Sequence, residues 1–375
     1  MTFFIKISSL TAAFYMCLIQ LYYRTPDGTT SNDIQQKIQL SVPEFRHPGI
    51  INSQSSLTYV ASENKPNLTN SLIDYIKAAQ ISTEYPEVVY VKASGSTPTE
   101  GQMRKDADLA YAYALKWVQT GAAKDAEQTI AILNGWSGNF KCYDVVEGTK
   151  IVQAQLEAAW VAPTFTAAAE IIRHYKFKGV AGAGWSNDDI IQFSKFLSNL
   201  RDNYINLLVK DVDAGKRQNN WGTSAGYAKM AMGVFLDNQA DYEDGMRIIR
   251  KLLPVVIKTS GEVYELCSRD CHHPQYSMTG LTYAAEIARI QGDESIFLAD
   301  SKRIKVGWEW IQSAFSGKVG CRDCSTQSVF PGVEVAAAYY NESFAIKALA
   351  RLQRPYTVTS DHTFAGFTTY THWRK

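Results

Sequence analysis

Neither sign of charge is in excess in this chain: Lys and Arg number 38 and Asp and Glu 37, so the net charge is +1. No long-range field draws nucleic acid or a membrane surface to such a protein, and an anionic ligand must be held by local cations. Strand patterning is equally scarce. Apolar and polar residues alternate strictly only over residues 87–91 and, more weakly, 356–370, which leaves a βαβ fold without its strands. There is no Walker loop, HExxH pair or dinucleotide fingerprint, so the nucleotide and metalloprotease chemistries those motifs carry have no support.

Cysteine is also sparse. Cys17 lies in an apolar N-terminal stretch, and Cys142, Cys267, Cys271, Cys321 and Cys324 follow. Residues 1–23 have a thin positive start and an apolar run, with no small-x-small cleavage site before Arg24. They fit a signal peptide or an uncleaved anchor, and either places the remainder outside the cytosol, secreted, extracellular or lumenal. In that oxidising setting the last four cysteines are expected to close two disulfides, in one of three connectivities, with Cys142 free or displacing one of them. Cys267-x3-Cys271 and Cys321-x2-Cys324 also have zinc-like spacing beside His272 and His273, but the leader favours disulfides. No metal and no cofactor are expected. Asn67-Leu-Thr69 and Asn341-Glu-Ser343 are glycosylation sequons.

Along the chain, residues 24–57 are polar and without period and read as an irregular arm, while 58–375 read as one helical domain. Helices are predicted over 70–80, 103–120, 125–133, 151–160, 164–175, from Asn187 through Leu207, and over 224–236, 242–257, 277–290, 294–314 and 333–352, with an extended piece at 85–91. Pro163 is expected to split two of them. Short links between mostly short helices predict antiparallel hairpins closing into an all-α fold, an α/α barrel or toroid.

Three stretches carry candidate chemistry. Gly222-Thr-Ser224-Ala-Gly226 has the spacing of a hydrolase nucleophile elbow, but no hydrophobic strand precedes it, so Ser224 reads as part of a helix. Just before it, Asn219-Asn220-Trp221 offers two amides at a helix start, which can cap it or hold a ligand. The run from Glu265 to Leu281 gathers Arg269, Asp270, His272, His273, Gln275 and Tyr276 ahead of an apolar helical pattern. That mixture can bind a carboxylate and move a proton. His174, at the end of a predicted helix, reads as a C-terminal charge or a core contact.

Asn219-Asn220-Trp221 with Gly233-Val-Phe-Leu-Asp237, and Arg269-Asp-x-x-His273-x-Gln275-Tyr276 running into Leu281-x-x-Ala-Ala-Glu286, resemble the alginate-lyase superfamily of polysaccharide lyases. Asp108 to Trp117, Ile132 to Ser137 and Trp160-x-x-Pro163-x-Phe165 agree, so the similarity spans roughly residues 60–350. One position departs: Trp221 stands where the best-known members carry histidine. The resemblance implies an incomplete α/α barrel and β-elimination on a uronic-acid polymer of alginate or glucuronan type. Asn220, Arg269 and His273 would neutralise the uronate carboxylate, and Tyr276, its phenolate favoured by neighbouring positive charge, would carry the proton. Either Tyr276 serves both proton transfers, or His273 is the base and Tyr276 the acid. Asn219, Trp221, Gln275, Trp136 and Glu334 are expected to bind substrate. The expected partner is the anionic polysaccharide, with no nucleic acid and no stable protein partner. The alternatives are a glycoside hydrolase using carboxyls among Asp270, Glu265 and Glu334, or a non-catalytic glycan-binding barrel.

Overall fold

Capping chemistry sets the helix starts. In the computed structural model, which describes residues 44–63 and 66–373, α1 (Gln54–Ser62) opens on a capping box in which Ser53 and Ser56 satisfy each other's backbone N–H groups. After α2 (Pro66–Ala78), the long α3 (Pro98–Thr120) repeats the device with Thr97 and Glu100, and it stops at Gly121, whose φ of 65° suits a left-handed cap. There follow α4 (Ala123–Asn139), α5 (Val152–His174), α6 (Asn187–Leu200), a π turn (Arg201–Ile205), α7 (Asn206–Asp213), α8 (Asn220–Phe235) and α9 (Gln239–Val256). Then come α10 (His273–Gln291), α11 (Ser295–Phe315), α12 (Gly332–Tyr339), α13 (Phe344–Arg351) and α14 (Thr368–His372).

Burial sorts these helices into two layers. α5, α8 and α10 are buried on nearly every side and α3 on most of its length, whereas α4, α6, α9 and α11 each keep a wet face. A helix apolar all round belongs inside and an amphipathic one outside. The inner helices pack in the order α3, α5, α8, α10, α12, each followed in the chain by its outer partner. Between α12 and α3 the ring is filled by α14, which packs on α12, α1 and α2. The result is an incomplete α/α barrel, as the sequence predicts. Small residues permit the tightest contact: a Cβ on Gly245 of α9 would lie 2.6 Å from the Gly226 carbonyl of α8.

Strands are few. β1 (Gly49–Ile50) and β2 (Asn52–Ser53) form a tiny antiparallel pair, as do β5 (Lys176–Phe177) and β6 (Val180–Ala181), while β3 (Val88–Val91) runs parallel to β4 (Cys142–Val145).

Several expectations need correction. Residues 44–57 are not an irregular arm: Ile50, Ile51, Asn52 and Leu57 are buried, and α1 begins within the segment. The rest of the arm, the leader 1–23 and Cys17 lie outside the described residues. Pro163 does not split α5, because both flanking turns are buried against α3 and α8. That burial offsets a proline penalty of about 3 kcal/mol. The helix predicted over 333–352 breaks where Ser343 caps α13 by accepting from the Ile346 N–H at 3.3 Å. Residues 356–370 form no strand and lead instead into α14.

The four late cysteines form Cys267–Cys321 and Cys271–Cys324 disulfides, leaving no thiols there for zinc. Cys142 is also disulfide-bonded rather than free.

Candidate active site

The two disulfides fasten the loop before α10 to the segment before α12, and Arg269 lies between the half-cystines of that loop. From here a connected series of polar contacts runs along the barrel end. Asn219 Nδ2 donates to Glu265 Oε1 at 3.4 Å, and Arg269 Nη1 donates to the same oxygen at 2.8 Å. Arg269 Nε stands 3.8 Å from Asp270 Oδ2, and that oxygen lies 2.6 Å from His273 Nδ1. Asp270 Oδ1 accepts the backbone N–H groups of His272 and His273, both at 2.8 Å. Burial opposes the Asp270 charge, but the His273 and His272 hydrogen bonds outweigh it and hold the carboxyl below its usual range. An ionised Asp270 accepts only, so His273 Nδ1 carries the hydrogen, and in the neutral imidazole Nε2 is the acceptor nitrogen.

One turn on, Tyr276 packs 5.6 Å from the His273 ring, nearly parallel to Trp160 at 5.7 Å, and edge-on to Phe330 at 4.8 Å. Its hydroxyl donates to Asp361 Oδ2 on the irregular segment that precedes α14. Burial is the main influence on this phenol and Asp361 the next; together they push its pKa well up against a smaller opposing effect of Arg104. This reverses the expectation of a favoured phenolate. The charged group that touches the Tyr276 oxygen is negative, and the resting side chain is a phenol.

Arg104 itself is buried, forms ion pairs with Glu157 and Glu100, donates to the Asp361 carbonyl at 3.3 Å, and lies 5.0 Å over the Trp160 ring. Burial, followed by the nearby Glu157, raises the Glu100 pKa to about 7, so the three-residue cluster carries little net charge near neutrality. Above it opens a cavity of about 380 Å³ lined by Lys92, Lys105, Gln153, Trp160, Asp361 and His362, among others. It adjoins a second of about 770 Å³ that shares Ser96, Gly101, Lys105 and His362. Lys92 and Lys105 have no ion-pair partner among the described residues and supply the uncompensated positive charge. His362 is held by Asp108, Nδ1 to Oδ2 at 2.8 Å.

The structure thus brings Asn219, Arg269, His273 and Tyr276 together. Asn220, the first residue of α8, is buried with its Oδ1 unpaired. Trp221 lies instead under Arg217, 4.1 Å from the guanidinium. The substrate-binding expectation fails for three residues. Gln275 is fully buried, donating to the Cys271 and Ser328 carbonyls and accepting from Phe330 N–H. Trp136 is core, its indole N–H donating to Asp106. Glu334 is buried in a two-pronged ion pair with Arg354. Each is buried and engaged by the scaffold.

Of the three carboxyls suggested for a hydrolase, Glu334 is paired with Arg354 and Asp270 with His273, while Glu265 pairs with Arg269 through Oε1 and keeps a buried Oε2 without a partner. Ser224 is buried in mid-helix. Asp361, His362, Arg104 and Lys105 were missed by the sequence reading, and Trp160 entered it only through the Trp160-x-x-Pro163-x-Phe165 resemblance. The polar run Ser360-Asp-His-Thr363 was the available signal for Asp361 and His362.

The family model described as alginate lyase matches residues 52–317. Among solved structures, alginate lyase A1-III from Sphingomonas species A1 superposes with a TM-score of 0.65 at 14% identity, covering 91% of this chain and 100% of that one. A tyrosine-to-phenylalanine variant of A1-III complexed with a tetrasaccharide gives 0.66 at 13% identity, covering 91% and 99%. An alginate lyase from Bacteroides ovatus gives 0.63 at 11% identity, covering 88% and 100%. At these identities the likeness to the solved structures is one of fold. No curated protein sequence matches the chain.

Proposed function

This chain belongs to the alginate lyase family and is a polysaccharide lyase, and from that premise we propose that it cuts a uronic-acid polymer by β-elimination, with His273 as base and Tyr276 as acid. The observation that carries the assignment is the pair of opposed environments. Asp270 fixes His273 Nδ1 and leaves Nε2 as a proton acceptor, while burial and Asp361 keep Tyr276 protonated.

The reaction then balances without further groups. His273 Nε2 takes the proton from carbon-5 of the uronate, and the electron pair left behind spreads onto the carboxylate. As the double bond forms between carbons 4 and 5, the glycosidic oxygen leaves and takes the Tyr276 proton. The imidazolium of His273 can return its proton to the phenolate through solvent. The developing dianion needs cationic or N–H contacts. The remaining N–H groups of Arg269 and the side-chain Nδ2–H groups of Asn220 would provide them. Lys92, Lys105 and Trp160 line the approach for an anionic sugar chain, which is the partner this cleft suits.

The test is digestion of a panel of uronate polymers of alginate and glucuronan type, followed by ultraviolet absorbance, because elimination leaves a conjugated unsaturated end. Wild type should generate that absorbance on at least one polymer, and His273→Ala should lose it. Reducing ends without absorbance would point to hydrolysis, and polymer retention with no cutting would point to a binding barrel.

A further inference from the structure

His174 was read as a helix-end charge or a core contact, yet its surroundings contain the makings of a metal centre. It closes α5 one turn after Glu170, whose side chain is fully buried. Glu170 Oε2 accepts the Gly49 N–H at 2.8 Å, while its Oε1 faces two imidazoles, His47 Nδ1 at 2.8 Å and His174 Nε2 at 3.6 Å. One ligand atom from each of His47, Glu170 and His174 lies within 4.8 Å of the others. His174 Nε2 is shielded from solvent and has no hydrogen-bond partner. Such an orphan is costly in a protein interior and calls for an explanation.

We propose that His47, Glu170 and His174 bind a divalent transition-metal ion of the zinc type, which fastens the segment entering the barrel to the ends of α5 and α8. Two imidazoles and a carboxylate are a donor set that suits zinc, with a fourth position left for water. Metal–ligand bonds of about 2.0–2.1 Å place tetrahedral donor atoms roughly 3.3 Å apart. The 2.8 and 3.6 Å separations bracket that spacing. The His47 and His174 rings are stacked, 4.2 Å apart and 19° from parallel, so one ring must turn about its side-chain bond before both lone pairs converge.

The outer contacts agree with the assignment. The other nitrogen of His47, Nε2, lies 3.1 Å from Asp237 Oδ1, the carboxylate–histidine arrangement that orients a metal-bound imidazole. Asp237 follows α8, so the centre joins three parts of the chain. His174 is fourteen positions beyond Trp160 on α5, on the order of 20 Å from the rings around Tyr276. The ion therefore has a structural role, outside the chemistry proposed above.

The experiment uses the full chain, stripped with chelator and re-loaded with zinc alone. Elemental analysis after gel filtration should find about one equivalent of zinc, with the melting temperature raised by a few degrees over the stripped protein. Cobalt substituted for zinc should give the visible absorption of a four-coordinate site. His174→Ala should retain less than about a tenth of an equivalent while its lyase rate stays within about twofold of wild type. If His174→Ala does not fold, Asp237→Asn decides, since loss of an outer-contact carboxylate weakens metal affinity about 10–100-fold. The proposal is overturned if re-loaded wild type holds no zinc, or if His174→Ala and Asp237→Asn hold as much as wild type. His47 would then serve only as a cation between Glu170 and Asp237.

Discussion

Replacing Tyr276 by phenylalanine removes one oxygen and leaves the packing intact. The ring stays between Trp160 at 5.7 Å, Phe330 at 4.8 Å and Phe364 at 6.1 Å. The only hydrogen bond lost is the one donated to Asp361. A bond to a charged group is worth about 1.5–3 kcal/mol. Asp361 keeps the Thr363 hydroxyl at 2.9 Å and borders a cavity of about 380 Å³ from which water can reach it. The net stability loss should therefore be on the order of 1 kcal/mol, a small shift in Tm. Turnover should suffer far more, because the leaving oxygen loses its proton donor: a fall of about 10²–10⁴-fold in kcat with KM within about twofold. Initial rates from the absorbance of unsaturated ends and a thermal melt measure the two effects separately. Turnover within about tenfold of wild type would refute the acid role of Tyr276.

Asp270→Asn should lower kcat about 10²-fold by freeing the His273 ring from its fixed tautomer, with the circular dichroism spectrum unchanged. The Asp270 carboxyl is held below its ordinary 3.8, so its contribution to stability is complete above that pH and is lost as pH falls through the folded value. Thermal melts of wild type should therefore decline more steeply below about pH 4 than those of Asp270→Asn. Reduction of Cys267–Cys321 and Cys271–Cys324, which span 54 and 53 residues, should cost about 4 kcal/mol for the first link by loop entropy and less for the nearly redundant second. Turnover should fall before the barrel melts, because the links hold the Arg269 loop. Lys105→Ala should raise KM at low salt with kcat nearly unchanged, and the difference should shrink as salt is added.

The helices were legible because a buried stripe repeats along each of them: Phe193, Phe196, Leu200 and Tyr204 announce α6 and its continuation without any help from the rest of the chain. What depended on distant partners was not. The parallel pairing of Val88–Val91 with Cys142–Val145 joins segments about fifty residues apart. Pro163 was read by its local cost, and the burial that outweighs that cost comes from α3 and α8. The same division runs through the site. Arg269, Asp270, His273 and Tyr276 lie within one short run and could be read together. Asp361 and His362 reach the cleft on a segment with no period, and the Arg104–Glu157 pair joins two helices whose apposition no local pattern reveals. Gln275, Trp136 and Glu334 were overread, since sequence shows a polar or aromatic side chain but not whether the scaffold has already engaged it.

Elimination by His273 and Tyr276 is tested most directly by the mass of the chain ends that the enzyme makes from a uronate polymer. The account predicts that every cut leaves one new end lighter by a water molecule than a hydrolytic end and absorbing in the ultraviolet, with both signals lost in Tyr276→Phe. New ends that have taken up water and do not absorb would contradict it.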